Sequence, residues 1–291
     1  MNSVENFQNI LNKSNANRYK KWTRYRALLT NYIISKIKSN QISKTIILGA
    51  GNSDDIDLKK IENYTEFLML ADIDLEAMKK AISKYKLDKN MCTIIKIDFL
   101  GLDDSKYWNN FVQEIIKLST KAEIEIFLNK IREEILSFNF LPDKKFDLVI
   151  VTPIYTQLFL NQSLVFLDIL NNLNYKVDLI NFLKTEFLKI SSIVINKFNE
   201  NVINLMDKSS HLIVVSDIFE ADYNSDFYRN ISSLDEMDQV LLEYQKKYGI
   251  GLGDYGLINL DQYLVSQSSK WLEWPFNKNK CFFVKVNEYK K

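Results

Sequence analysis

Glycines and carboxylates at recurring strand ends are the residues here whose types and spacing can do chemistry. The run Thr45-Ile46-Ile47-Leu48 suits a buried strand and passes directly into Gly49-Ala50-Gly51, then into Asn52-Ser53-Asp54-Asp55. A second apolar run, Phe67-Leu68-Met69-Leu70-Ala71, ends on Asp72, and a third, Thr93-Ile94-Ile95-Lys96-Ile97, ends on Asp98-Phe99. Glycines lacking a Cβ let the backbone turn tightly and approach a ligand. An acid at the tip of the following strand can accept hydrogen bonds from both hydroxyls of a ribose. An acid beside an aromatic can bond an adenine amino group and pack on its ring. The same residues also fit an ordinary turn, helix-capping acids and a core phenylalanine.

A helix expected to begin near residues 53–55 would point free N–H groups at the ligand. Asp54, Asp55 and Asp57 crowd that start, which suits a cationic centre or an amino group better than a phosphate. Asp74, two residues beyond Asp72, reads as the cap of the next helix. Further along, Val149-Ile150-Val151 leads into Thr152-Pro153-Ile154-Tyr155, and Val214-Val215-Ser216 ends on Asp217. Catalytic groups collect at the carboxyl ends of parallel strands, so Tyr155 and Asp217 are the candidates to touch a substrate. Each also has a plain structural reading, as a tyrosine packed under the following helix and as another capping acid. The single histidine, His211, nearly excludes a histidine-containing triad or a His-rich metal site, and no metal ligand set is expected.

The elements that must position these residues follow from the hydrophobic pattern. Strand-length apolar runs lie at 45–49, 67–72, 93–98, 146–151 and 211–217, separated by helical patterns at 54–62, 74–85, 105–139 and 156–207. Residues 271–276 and 281–286 flank a polar turn and read as a β-hairpin. Alternation of strands and helices predicts an α/β fold, a Rossmann-like, mostly parallel seven-stranded sheet with helices on both faces and a C-terminal antiparallel hairpin. Helical patterns at 3–13 and 18–38 predict an N-terminal helical extension over residues 1–40, with the main domain over 41–291 carrying helical insertions near 105–139 and 156–207. The stretch 249–256 holds four of the seven glycines and reads as a mobile cover.

Bulk properties narrow the partners. Lys and Arg number 38 against 37 Asp and Glu, so net charge gives no push toward nucleic acid or membrane. The basic-aromatic stretch 18–26 allows phosphate contacts with stacked bases, or an amphipathic helix with its aromatics on the sheet. A third reading has one arginine of this helix reaching a ligand carboxylate. Two distant cysteines, Cys92 and Cys281, read as reduced buried thiols. Residues 1–9 are mostly polar with no long apolar run after them, and no stretch nears the roughly 18 apolar residues of a membrane span. A cytoplasmic protein without a membrane partner is the expectation; oligomeric state is not readable.

Taken together, the residues resemble class I S-adenosylmethionine-dependent methyltransferases over about residues 40–286. That family has a glycine-rich loop after strand 1, an acid ending strand 2, an acid–hydrophobic pair after strand 3 and a closing antiparallel hairpin. These look like Gly49-Ala50-Gly51, Asp72, Asp98-Phe99 and the 271–286 hairpin. Leu48-Gly49-Ala50-Gly51-Asn52, with the acids after it and Ala71-Asp72-Ile73-Asp74, also looks like a bacterial branch whose members mostly lack an assigned substrate. The resemblance implies S-adenosylmethionine as cofactor, held by Gly49, Ala50, Gly51, Asn52, Asp55, Asp72, Ile73, Asp98, Phe99 and Thr152. It implies methyl transfer to a small-molecule or peptide acceptor, with Tyr155 and Asp217 on the acceptor side.

The chain departs from the family pattern in two places. The acid usual two residues before the first glycine is Ile47, and the third glycine position holds Ser53. Asn52, Asp55 or a residue of the N-terminal helix would then replace the missing contact. Amino-methylating nucleic-acid enzymes carry Asp/Asn-Pro-Pro-Tyr/Phe where this chain has Thr152-Pro153-Ile154-Tyr155, which makes RNA or DNA a secondary acceptor reading. The same residues would also serve a catalytically inactive cofactor-binding protein or, with a weaker fit, a dehydrogenase.

Overall fold

A computed structural model describes residues 17–231 and 233–291. The helical pattern expected at 3–13 lies outside the described residues. Seven strands form one sheet in the order β3-β2-β1-β4-β5-β7-β6. They are β1 Lys44–Leu48, β2 Phe67–Asp72, β3 Cys92–Lys96, β4 Phe146–Val151, β5 Met206–Asp222, β6 Val265–Trp274 and β7 Lys280–Lys290. The first five run parallel. β7 is antiparallel to both β5 and β6 and lies between them.

Alternation along each strand sends successive side chains to opposite faces. Ile47, Leu70, Ile150 and Ile213 pack with Leu29, Ile33 and Ile37 of the Thr23–Asn40 helix and with Met78 and Ala81 of the Leu75–Tyr85 helix. On the other face Ile46, Leu48, Val149, Val151 and Val214 pack with Ile195 and Phe198 of the Val177–Asn204 helix and Leu257 of the Leu252–Leu260 helix. The predicted helical stretches 105–139 and 156–207 are each several helices. Lys106–Asn109, Phe111–Ile115, Lys121–Ser137 and Leu160–Asn172 join the long Val177–Asn204 helix in a separate aromatic core around Trp108, Phe111, Phe166 and Phe187.

The structure corrects three element expectations. The helix expected from residue 54 begins only at Leu58, capped by Asp57, whose side chain accepts from Lys60 N, so residues 52–57 form a loop. The glycine stretch, expected as a mobile cover, is in part a helix, Leu252–Leu260, in which Gly253 abuts Asp217 of β5 and Gly256 abuts Tyr155, and no residue of 249–256 lines the cavity at the carboxyl ends of the parallel strands. The hairpin strands are longer than expected and begin earlier.

That extra length has a consequence for the site. β4 stops at Val151, paired with Val214 of β5, while β5 continues to Asp222 with β7 beside it. A three-stranded extension of β5, β7 and β6 therefore rises past the carboxyl ends of the parallel strands as a wall.

Candidate active site

One cavity of about 440 Å³ opens at the carboxyl ends of the parallel strands. All ten residues expected to hold the cofactor line it: Gly49, Ala50, Gly51 and Asn52 after β1, Asp55 in the following loop, Asp72 and Ile73 after β2, Asp98 and Phe99 after β3, and Thr152 after β4. Gly49 has φ +77°, and a Cβ there would lie 2.4 Å from both Ile154 Cγ2 and Thr152 Oγ1. Only glycine fits that turn. Thr152 Oγ1 lies 2.8 Å from Gly49 O and 3.1 Å from Leu48 O, so its hydroxyl donates back to β1 and fixes the two loops together.

Asp72 accepts from Gly51 N at 2.9 Å through Oδ2 and from Asp74 N at 2.8 Å through Oδ1. Each carboxylate oxygen retains a second lone pair for a ligand hydroxyl. Asp74 caps the next helix as expected, accepting from Ala77 N at 2.9 Å. Asp98 accepts from Leu100 N at 3.0 Å and Asp103 N at 2.6 Å, which shapes the loop beneath Phe99. Phe99 in turn meets Phe140 and Phe198 edge-on.

Burial, the largest influence, pushes Asp55, Asp72 and Asp217 each up to about 6 and raises Asp98 as well. Backbone N–H groups oppose the shift at Asp72 and Asp98, and Lys84 and Arg26 oppose it at Asp55.

The two catalytic candidates separate. Asp217 lines the cavity; its Oδ2 accepts from Thr156 Oγ1 at 3.2 Å, and its buried Oδ1 has no partner among the described residues. A β-bulge between Asp217 and Phe219 in the β5–β7 pairing re-aims the strand at this point. Tyr155 does not line the cavity: it is 1% exposed, and its hydroxyl donates to Asn199 Oδ1 at 2.8 Å. Asn199 bonds onward to Gly256 O and Asn259 Oδ1, and burial raises the Tyr155 phenol well above its ordinary range. Tyr155 is a core residue, and the expectation that it faces the substrate is corrected. In the short helix it begins, Thr156 and Gln157 face the cavity instead.

Sequence reasoning missed one wall. Arg18, Trp22, Trp274, Phe276 and Phe282 line the same cavity. Trp22 and Trp274 meet edge-on at 4.8 Å, and Tyr25 stacks on Trp274 at 5.5 Å. The basic-aromatic stretch and the hairpin already named these residues; their convergence was hidden. Asn161 also lines the cavity and carried no sequence signal. Burial lowers the Arg18 guanidinium against the opposing pull of Asp54 and Asp55. Arg26 is buried, donating to Tyr19 O and Asp54 O at 2.8 Å each beneath the Tyr19 ring. Among the described residues lining the cavity, Arg18 is the one Lys or Arg, against Asp54, Asp55, Asp72, Asp98 and Asp217.

No protein-family model matches the chain, and no curated protein matches its sequence. Among solved structures the chain is similar to the N-methyltransferase NodS from Bradyrhizobium japonicum, at TM-score 0.46 and 10% identity over 92% of this chain and 97% of that one. The same enzyme solved with S-adenosyl-L-homocysteine gives TM-score 0.45 and 11% identity over 94% and 98%. An S-adenosylmethionine-dependent methyltransferase from Methanosarcina mazei gives TM-score 0.43 and 12% identity over 89% and 96%. With β7 antiparallel between β5 and β6 at the end of a parallel β3-β2-β1-β4-β5 sheet, the chain has the class I methyltransferase fold.

Proposed function

We propose that the protein is an S-adenosylmethionine-dependent methyltransferase acting on a small-molecule or peptide acceptor. The observation that carries this reading is the convergence of the β1 glycine turn, Asp72 and the Asp98-Phe99 pair on one cavity. The residues fit the cofactor. The glycine turn admits no Cβ at Gly49, Asp72 keeps lone pairs for a ribose, and Ile73, Phe99 and Leu100 offer apolar surface to an adenine. Arg18 and Asp55 take the place of the missing acid at position 47 as partners for an amino-acid carboxylate and amino group. When bound, the cofactor supplies an already activated methyl group on a cationic sulfur.

The chain's part is then to orient and to exclude water. Asp72 holds the ribose end, the Thr152 hydroxyl locks the loops of β1 and β4, and the aromatic wall closes one side. The lining disfavours the nucleic-acid reading, because a phosphate backbone would meet five carboxylates and one guanidinium. It also disfavours a dinucleotide. The helix after the glycine turn starts only at Leu58, so no helix N-terminus faces a pyrophosphate at the turn.

Calorimetric titration of the purified protein with S-adenosylmethionine, S-adenosylhomocysteine and NAD tests the reading. Binding of the first two and not of NAD is expected. Absence of heat with both adenosyl ligands would overturn it.

A further inference from the structure

We propose that the acceptor end of the cavity binds a small aliphatic amine, its nitrogen held between the Asp217 carboxylate and the aromatic wall of Trp22, Trp274, Phe276 and Phe282. The inference rests on the methyltransferase reading above and names the acceptor class for the same site. Position separates this end from the cofactor end. In the order β1-β4-β5, Asp217 lies within β5, two strands from the glycine turn, about 10 Å at the usual strand spacing. Asp72 ends β2 and Asp98 follows β3, whereas Asp217 stands on β5; Asp55 lies between, its charge and that of Asp217 both acting on Tyr25, which stacks on Trp274.

Three features favour a cation or an N–H donor there. First, the Asp217 carboxylate lines the cavity and is buried, with Oδ2 accepting from Thr156 Oγ1 at 3.2 Å. An ammonium or amine N–H that reaches this carboxylate offsets the cost of burying its charge. Second, Trp22, Trp274, Phe276 and Phe282 line the same cavity, and the wall already draws cations of this chain: Arg18 stands 5.5 Å from the Trp22 ring and Lys280 Nζ 5.7 and 5.8 Å from the Phe276 and Phe282 rings. Third, the one guanidinium among the described residues lining the cavity, Arg18, is drawn to Asp54 and Asp55, and Asp217 has no such partner to favour an anionic acceptor.

Size follows from the cavity: about 440 Å³ must hold the methyl donor as well, which leaves room for a small acceptor or for one side chain of a larger one.

The transfer balances without a further reagent. An ammonium gives one proton to the Asp217 carboxylate, and the freed nitrogen lone pair forms a bond to the methyl carbon. The methyl–sulfur bond breaks with its electron pair on sulfur, the methylated nitrogen carries the positive charge, and the Asp217 proton passes to solvent.

The test uses two pairs of probes that differ in charge and little in shape: choline against 3,3-dimethylbutan-1-ol, and n-butylamine against 1-butanol. Each is titrated into the full chain with and without saturating S-adenosylhomocysteine, read by calorimetry and tryptophan fluorescence. In at least one pair the cationic member should bind tenfold or more tighter than its neutral partner. Asp217→Asn should erase that preference and leave S-adenosylhomocysteine affinity within about twofold; this variant removes a charge that burial disfavours, so it is expected to fold. No preference in either pair, or a preference that survives in Asp217→Asn, overturns the proposal. The wild-type probe pairs decide it even if the variant misfolds. A wild-type chain that shows the cation preference but does not bind S-adenosylhomocysteine would instead remove the donor assignment and leave the amine site standing.

Discussion

The carboxylate of Asp72 accepts the backbone N–H of Gly51 at 2.9 Å, which ties the tip of β2 to the glycine turn after β1. The bond sets the turn's shape and fixes the direction of the acid toward the cavity. Asp72→Ala removes both the tie and the two ribose acceptors. S-adenosylhomocysteine affinity should fall roughly tenfold or more, on the order of 1.4 kcal/mol or above. Calorimetry on folded variant, checked by its melting curve, measures this; unchanged affinity would remove Asp72 from the site.

Tyr155 and Asp217 make opposite predictions although sequence reasoning paired them. The Tyr155 hydroxyl belongs to a buried network with Asn199, Gly256 and Asn259, away from the cavity. Tyr155→Phe should lower unfolding free energy by about 1–2 kcal/mol, the cost of leaving a buried amide oxygen with one partner fewer. Ligand affinity should stay unchanged. A variant with wild-type stability and weakened amine or cofactor binding would return Tyr155 to the site.

What could be read from the sequence and what could not divides along the range of the determining contacts. Glycine turns and strand-tip acids are local, so Gly49, Gly51, Asp72 and Asp98 were legible from the residues around them. Tyr155 was not, because the phase of a four-residue helix is set by Asn199, a partner 44 positions away. The Leu252–Leu260 helix was hidden for a related reason. Gly253 and Gly256 are poor helix formers, and they are present because Asp217 and Tyr155 approach too closely for a Cβ. Propensity reads them as a loop; tertiary packing needs them in a helix. The aromatic wall depends on how far β5, β6 and β7 run past β4, a register fixed only when the sheet assembles.

Charge in the cavity predicts a pH dependence with a definite sign. Asp55, Asp72 and Asp217 are each pushed up to about 6 from an ordinary aspartate value of 3.8, so between these limits the folded protein holds protons that the unfolded chain has released. Their burial therefore erodes stability as pH rises from about 4 to 6, and the erosion is complete above 6. A bound cation favours the ionised carboxylates and reverses the effect. S-adenosylmethionine should accordingly bind more tightly as pH rises through 6, with proton release, and S-adenosylhomocysteine, lacking the sulfonium charge, should gain less. Calorimetry at pH 5, 6 and 7.5 in buffers of different ionisation enthalpy separates the two ligands. Parallel pH profiles would show that these carboxylates do not sense the sulfur.

The helix start beneath the acceptor end supplies a steric test. A Cβ on Gly253 would sit 2.3 Å from the backbone oxygen of Asp217 and 2.7 Å from Ser216 Oγ, which itself donates to Gly253 O at 2.9 Å. Replacing a helical glycine by alanine ordinarily stabilises by about 1 kcal/mol. Here the colliding atom is backbone in a strand hydrogen-bonded to β7, so neither side yields cheaply. The collision should outweigh the propensity gain. Gly253→Ala is expected to lower stability by about 1–3 kcal/mol and, by displacing Asp217, to weaken choline binding more than S-adenosylhomocysteine binding. Gly251→Ser is the control: its Cβ would meet nothing within 4 Å, and serine caps a helix at least as well as glycine. Urea unfolding of both variants measures the difference, and a Gly253→Ala protein as stable as wild type would show that the helix and β5 are not locked together at this contact.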